Sequence, residues 1–307
     1  MSYLGPDFDP PQPRRGRRRA LTVAATALVP GALLGWLVYA TVGDGGGGSG
    51  NAAVRTTPAT TPPTASSTQD DEKPGPAPSP SGAEPLAGKV VVIDPGHNPG
   101  NFRHPSEINR QVDIGTNRKE CDTTGTSTNA GYAEAEFTLD VARRMRALLE
   151  KQGATVKFTQ DGDRPWGPCV DERAEIGNKA KADAVVSIHA DGAGAGQRGF
   201  HVILPGKVAM GAADTGPIVA PSRALGERVA GAFVRVTGSA PSDYVGGGTG
   251  LVTRQDLGGL NLSTVPKVFI ECGNMRDSKD AALLTSGAWR QKAAQGISEG
   301  IVSFLRG

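Results

Sequence analysis

The chain has 307 residues, with 33 Lys and Arg against 31 Asp and Glu, for a formal net charge of +2. That length accommodates one large domain plus appendages. Its arginines cluster at Arg14, Arg15, Arg17, Arg18 and Arg19, and the near-neutral remainder carries no basic field for nucleic acid, which excludes a nucleic-acid partner.

Residues 1–19 hold that cluster and read as a cytoplasmic tail, followed at 20–42 by a stretch without a charged side chain. A helix of about 20 apolar residues spans the ~30 Å hydrocarbon core of a bilayer. Arginines before the stretch, with Trp36 and Tyr39 near its far end, predict a transmembrane anchor that exports everything after it. The alanine-rich run with Pro30 and Gly31 also fits a cleaved signal peptide, but no clear small-x-small cleavage site stands out, which favours the anchor. The catalytic region is therefore expected outside the cytoplasm, held at the cell membrane or secreted to the wall. Residues 43–86 open on glycines 45–48 and continue in Thr, Pro, Ser and Ala. They have almost nothing to bury and read as a disordered linker.

From 87 to 307 the pattern becomes that of a folded domain. A buried strand is predicted over 89–94, where Val-Val-Val-Ile runs into Asp94-Pro95-Gly96-His97. An amphipathic helix is predicted over 134–152, with Phe137, Val141, Met145 and Leu148 on one face and Gly153 closing it. Strands follow at 155–159, 184–188, 199–204 and 265–270, and helices at 171–181, 222–236 and 280–305. Such alternation predicts an α/β fold, a single domain with a mostly parallel central sheet flanked by helices.

Ligands bind such a sheet outside the C-terminal ends of its strands. His97 stands just past one apolar run, His189 ends a second (Ser-Ile-His-Ala-Asp), and Glu271 ends a third. Two imidazoles on one rim point to a shared metal. A hydrolytic zinc takes three protein ligands and leaves the fourth position to water. Glu134, at the head of the helix after the first strand, is the candidate third ligand, and Glu271 the candidate general base. The competing reading makes each histidine a hydrogen-bonded edge residue. His104, in a polar loop, and His201, between Phe200 and Val202 in a strand, are read as non-ligands.

Asp94-Pro95-Gly96-His97, Glu134 upstream of Leu139, Ser187-Ile188-His189-Ala190-Asp191 and the run from Pro266 to Glu271-Cys272-Gly273 together resemble the zinc-dependent N-acetylmuramoyl-L-alanine amidases of type 3. The similarity runs in order from about Gly88 to the C-terminus and includes Arg173 and Gly199-Phe200. It implies zinc held by His97, Glu134 and His189, with Glu271 as catalytic base. The implied reaction is hydrolysis of the amide between N-acetylmuramic acid and L-alanine, the partner being peptidoglycan or a muropeptide. Any activating protein is left unspecified.

Two departures stand out. The stretch 98–133 separates His97 from Glu134, where relatives have a short glycine-rich loop, and Asn274 replaces the usual phenylalanine of the last motif. Glu136 is an alternative third ligand, with Glu120 and Glu107 as weaker rivals. Asn274 is expected to alter the substrate wall, and residues 246–250, Arg254 and Asn261 to line a groove for glycan or stem peptide. In an exported protein Cys121 and Cys169 are candidates for a disulfide pinning the insertion near the site, the alternative being two free thiols. Strand alternation turns Cys272, next to Glu271, into the core. Two other classes stay open: a zinc peptidase cutting within the stem peptide, and a non-catalytic wall-binding regulator on the same scaffold.

Overall fold

The computed structural model describes residues 84–307. The expected tail at 1–19, the apolar segment at 20–42 and nearly all of the linker at 43–86 lie outside the described residues. Leu86, at the linker's expected end, is fully buried in the main core. Among the described residues no helix is long and apolar enough to cross a membrane.

The chain opens with β1 (Val90–Pro95), and the 98–133 insertion then folds into α1 (Pro105–Ile108) and a hairpin of β2 (Gln111–Asp113) with β3 (Arg118–Glu120). Next come α2 (Glu134–Glu150), β4 (Thr155–Phe158), α3 (Val170–Lys179), β5 (Ala184–Asp191) and β6 (His201–Pro205). A short hairpin of β7 (Ala209–Met210) and β8 (Ala213–Asp214) leads to α4 (Gly216–Thr237), β9 (Leu251–Arg254) and α5 (Gly258–Asn261). β10 (Lys267–Asn274), α6 (Ser278–Leu284) and α7 (Gly287–Arg306) complete the domain.

The central sheet has the order β4-β1-β5-β10-β6-β9. Its first four strands are mutually parallel, as the alternation predicts. β6 runs antiparallel to β10 and carries β9 parallel to itself. The mostly parallel sheet is thus mixed at one side, and β9 is a strand where only groove-lining loop was expected. β5 and β10 are buried at every position, as strands covered on both faces must be.

Side-chain alternation gives the two faces different chemistry. One carries Val91, Ile93, Val186, Ile188, Val268 and Ile270 against α2, α4 and α7. Phe137, Val141, Met145 and Leu149 of α2 are completely buried there, each worth roughly 1.5–3 kcal/mol. Cys272 joins this core unpaired, as expected. The other face carries a buried polar row, Asp94, Ser187, His189, Lys267 and Glu271, among small apolar clusters under α3, α5 and the insertion.

Two helix boundaries differ from expectation. α4 begins at Gly216, ahead of the predicted 222, and holds Pro221 inside it. The helix forfeits one backbone hydrogen bond there, but Ser222 Oγ accepts from Lys267 N at 3.0 Å and ties it to β10. The predicted C-terminal helix is split in two, because the side chain of Ser286 caps a second helix by accepting from Trp289 N.

Cys121 and Cys169 are disulfide-bonded across 48 residues, clamping the insertion to the start of α3. On the chain-entropy model a loop of that size is worth about 4 kcal/mol. Replacing both cysteines by serine should lower the melting temperature by about 10 °C in calorimetry under non-reducing conditions. Unchanged melting would show that the insertion is held without the bond.

Candidate metal centre

The centre starts with the turn that ends β1. Gly96 N donates to Ile188 O at 2.9 Å, so the β1–β5 ladder continues into the turn. His97 then adopts φ 61°, a left-handed conformation uncommon outside glycine. Its carbonyl is held by Gln160 Nε2 at 2.9 Å and Arg173 Nη2 at 3.0 Å. Its Nδ1 donates to Thr123 O at 3.0 Å, which leaves the lone pair on Nε2. That atom is buried, lies 3.2 Å from Glu134 Oε1 and makes no hydrogen bond.

Glu134 is the first residue of α2, where the helix dipole favours a carboxylate. Its Oε1 accepts from His189 Nδ1 at 2.9 Å and Ala190 N at 3.2 Å, and its Oε2 from Thr126 N at 2.9 Å. The His189 ring stacks on Phe269 at 5.2 Å and meets the His97 ring edge-on at 5.0 Å. One ligand atom each from His97, Glu134 and His189 falls within 4.8 Å of the others, and all three residues are buried. Burial alone would lift the Glu134 carboxyl, but the two imidazoles beside it, His97 foremost, hold it well below its usual range. Burial holds the His189 imidazole down to about 3, so it stays neutral and able to ligate. The donors and the bare, buried Nε2 of His97 fit a divalent metal such as zinc.

Glycines make the approach possible. A Cβ on Gly96 would overlap the His189 imidazole. One on Gly125, at φ 73°, would stand 2.7 Å from His97 Cδ2 and 2.8 Å from Glu134 Oε2. Gly125 belongs to the insertion, so the segment after Cys121 forms a wall of the centre.

Glu271 stands one strand away, in register with His189 and therefore on the same face. It is buried, and its Oε2 has no hydrogen-bond partner. Burial first, then the charges of Asp191 and Glu134, push its carboxyl well above the usual range. Asp191 ends β5, and its Oδ2 accepts from Tyr244 OH at 2.9 Å.

The four sequence-predicted residues thus converge, and the rival acids do not. Glu136 and Glu120 are exposed, and Glu107 pairs at 3.4 Å with His104, away from the centre. Asn261 does not line a groove. Its Nδ2 donates to Ile114 O, Thr116 Oγ1 and Gln255 O, tying the insertion hairpin to the segment before α5. Asn274 is no substrate wall either: it is buried, and its Nδ2 donates to the carbonyls of Ala193, Gly194 and Gln197. Arg254 pairs with Asp256. His201, set aside as a strand residue, lies opposite Glu271 on β6. Asp122 and Thr123, which back His97, carry no sequence signal of their own.

Gly96→Ala is expected to displace the His189 ring and weaken divalent-metal binding at least about tenfold in a competition titration, with the fold retained by circular dichroism. Unaltered affinity would mean that His189 is not held by this turn.

The family model of N-acetylmuramoyl-L-alanine amidases matches residues 91–303. The N-acetylmuramoyl-L-alanine amidase Rv3717 of Mycobacterium tuberculosis is 40% identical over 221 residues, which cover 72% of this chain and 88% of that protein. Among solved structures, the amidase Ami1 of Mycobacterium smegmatis is 41% identical with a TM-score of 0.65, covering 72% of this chain and 98% of that one. Ami1 of Mycobacterium abscessus is 42% identical with a TM-score of 0.65, covering 72% and 100%. The match takes in every strand that brings a side chain to the centre, and on it the chain belongs to the N-acetylmuramoyl-L-alanine amidase family.

Proposed function

We propose that the chain hydrolyses the amide bond joining the lactyl group of N-acetylmuramic acid to L-alanine in peptidoglycan, with zinc as its metal. The observation that carries this reading is the convergence of His97, Glu134 and His189 beside the unpartnered carboxylate of Glu271, in a member of the amidase family. When bound, zinc polarises the scissile carbonyl and lowers the pKa of water to about 7. The chain's own groups do the rest. Thr123 O keeps the His97 proton on Nδ1, so that Nε2 faces the ligand set. Thr126 N and Ala190 N hold the Glu134 carboxylate between the two imidazoles. Glu271 accepts a proton from the attacking water on its carboxylate and returns it to the departing amine of L-alanine. Its dry surroundings raise its basicity and so favour the first of these transfers. The arginine cluster and apolar stretch support an extracytoplasmic domain that is membrane-tethered or secreted.

Digestion of purified cell wall followed by mass spectrometry tests the reaction. Intact stem peptides with a free L-alanine amine are expected, and fragments cut within the stem would instead identify a peptidase. Glu271→Gln should retain stoichiometric zinc while turnover falls about 10²–10⁴-fold. His189→Ala should lose bound metal in elemental analysis. Wild-type zinc content there would remove His189 from the ligand set.

A pH dependence follows for the metal-free protein. Glu271 titrates higher in the folded chain than its unperturbed 4.5, so between those values the folded state binds the extra proton. Stability from this group is full below 4.5 and is lost as pH rises through the folded value. Glu271→Gln should remove that slope in thermal melts across pH and melt no lower than the parent at neutral pH. Parallel profiles for the two proteins would refute the raised titration.

A further inference from the structure

His201 and Glu271 are direct cross-strand partners in the antiparallel β6–β10 pair. Residues opposite each other in such a pair project from the same face, with Cβ atoms about 4.5–5.5 Å apart. Each carries a buried polar atom that makes no hydrogen bond, Nδ1 of His201 and Oε2 of Glu271. A buried group left unpaired costs roughly 1–3 kcal/mol, so two of them side by side mark a pair that closes in the working protein. The surroundings favour closure. The Tyr244 ring meets the His201 ring edge-on at 5.9 Å, while its hydroxyl donates to Asp191 at 2.9 Å. Tyr244 therefore spans from β5 to β6, across the strand that carries Glu271. Burial, and then the charge of Arg254, hold the His201 imidazole down to about 4, so the ring is neutral and carries a single N–H.

We propose that His201 is a positioning residue for Glu271: with its proton on Nδ1, the imidazole donates to the Glu271 carboxylate and aims the other oxygen at the attacking water. The inference rests on the reading of Glu271 as the base. It gives β6 a part in the chemistry, and it assigns His201 a role apart from metal binding.

The test uses the zinc-loaded domain and a soluble muropeptide. His201→Leu removes the donor while keeping an apolar side chain of similar bulk, and His201→Asn puts an amide nitrogen near the position of Nδ1. His201→Leu is expected to lower kcat about 10–100-fold, with KM and zinc content unchanged and a melting temperature no lower than the parent's. His201→Asn should recover most of the loss. Wild-type kcat in His201→Leu, or His201→Asn no better than His201→Leu, would overturn the proposal, because a purely structural ring predicts one or the other. Should His201→Leu not fold, a crystal structure of the zinc-loaded parent decides: Nδ1 within about 3.2 Å of a Glu271 oxygen supports the inference, and a gap above about 4 Å removes it. Glu271→Gln separates this result from the underlying reading. Retained turnover there refutes the base, whereas lost turnover together with an unaffected His201→Leu refutes only the role of His201.

Discussion

The guanidinium of Arg173 joins segments of chain that lie far apart in sequence. All five of its N–H groups are used: Nε on Pro168 O, Nη1 on Asp94 Oδ1 and Pro95 O, and Nη2 on His97 O and Asp122 Oδ2. It thereby fixes the end of β1, the turn carrying His97 and the insertion beyond the disulfide. Buried charge survives only when fully compensated. Here Arg173 and Lys267 face Asp94 and Asp122, two cations against two anions. Burial would raise both carboxyls, but Lys267 and Arg173 at Asp94, and Arg173 at Asp122, hold them below the usual carboxylate range. Asp94 is saturated further by Thr159 Oγ1 at 2.7 Å and Ser187 Oγ at 2.9 Å. The strained φ of His97 is affordable because its carbonyl is clamped from two sides.

This clamp lets the chain place two buried carboxylates close together in opposite states. Glu134 lies between imidazoles and backbone N–H groups and is driven toward the ionised form. Glu271, desolvated and near two other acids, is driven toward the neutral one. Environments that push two acids apart assign them different work, one holding charge and one carrying protons. The division depends on which strand each acid rides. Glu134 enters from a helix N-terminus, with its dipole, and meets the amides of Thr126 and Ala190, whereas Glu271 Oε2 meets no donor.

Much of this was legible in the sequence, because β1, β5 and β10 are apolar runs whose ends coincide with chemistry-bearing residues. The start of α2 at Glu134 was legible from the helical spacing of Phe137, Val141 and Met145. Asn261 and Asn274 were not. Their side-chain amides satisfy carbonyls distant in sequence, and a polar residue in a loop looks the same whether it binds backbone or substrate. The start of α4 was hidden by Pro221, whose lost hydrogen bond is offset by tertiary contacts that a local pattern does not contain.

His201 shows a different limit. A histidine near the beginning of a strand is at the wrong end for chemistry if every strand runs parallel, since only C-terminal ends reach the functional rim. β6 is antiparallel to β10, so its first residue arrives where the parallel strands deliver their last. Strand direction is set by long-range pairing and by how α4 and β9 pack, and a run such as Phe-His-Val-Ile-Leu is silent about it. Reversing one edge of a parallel sheet therefore adds a side chain to the rim without lengthening any loop. It comes from a strand buried at every position, which holds an imidazole against the neighbouring carboxylate more rigidly than a loop would.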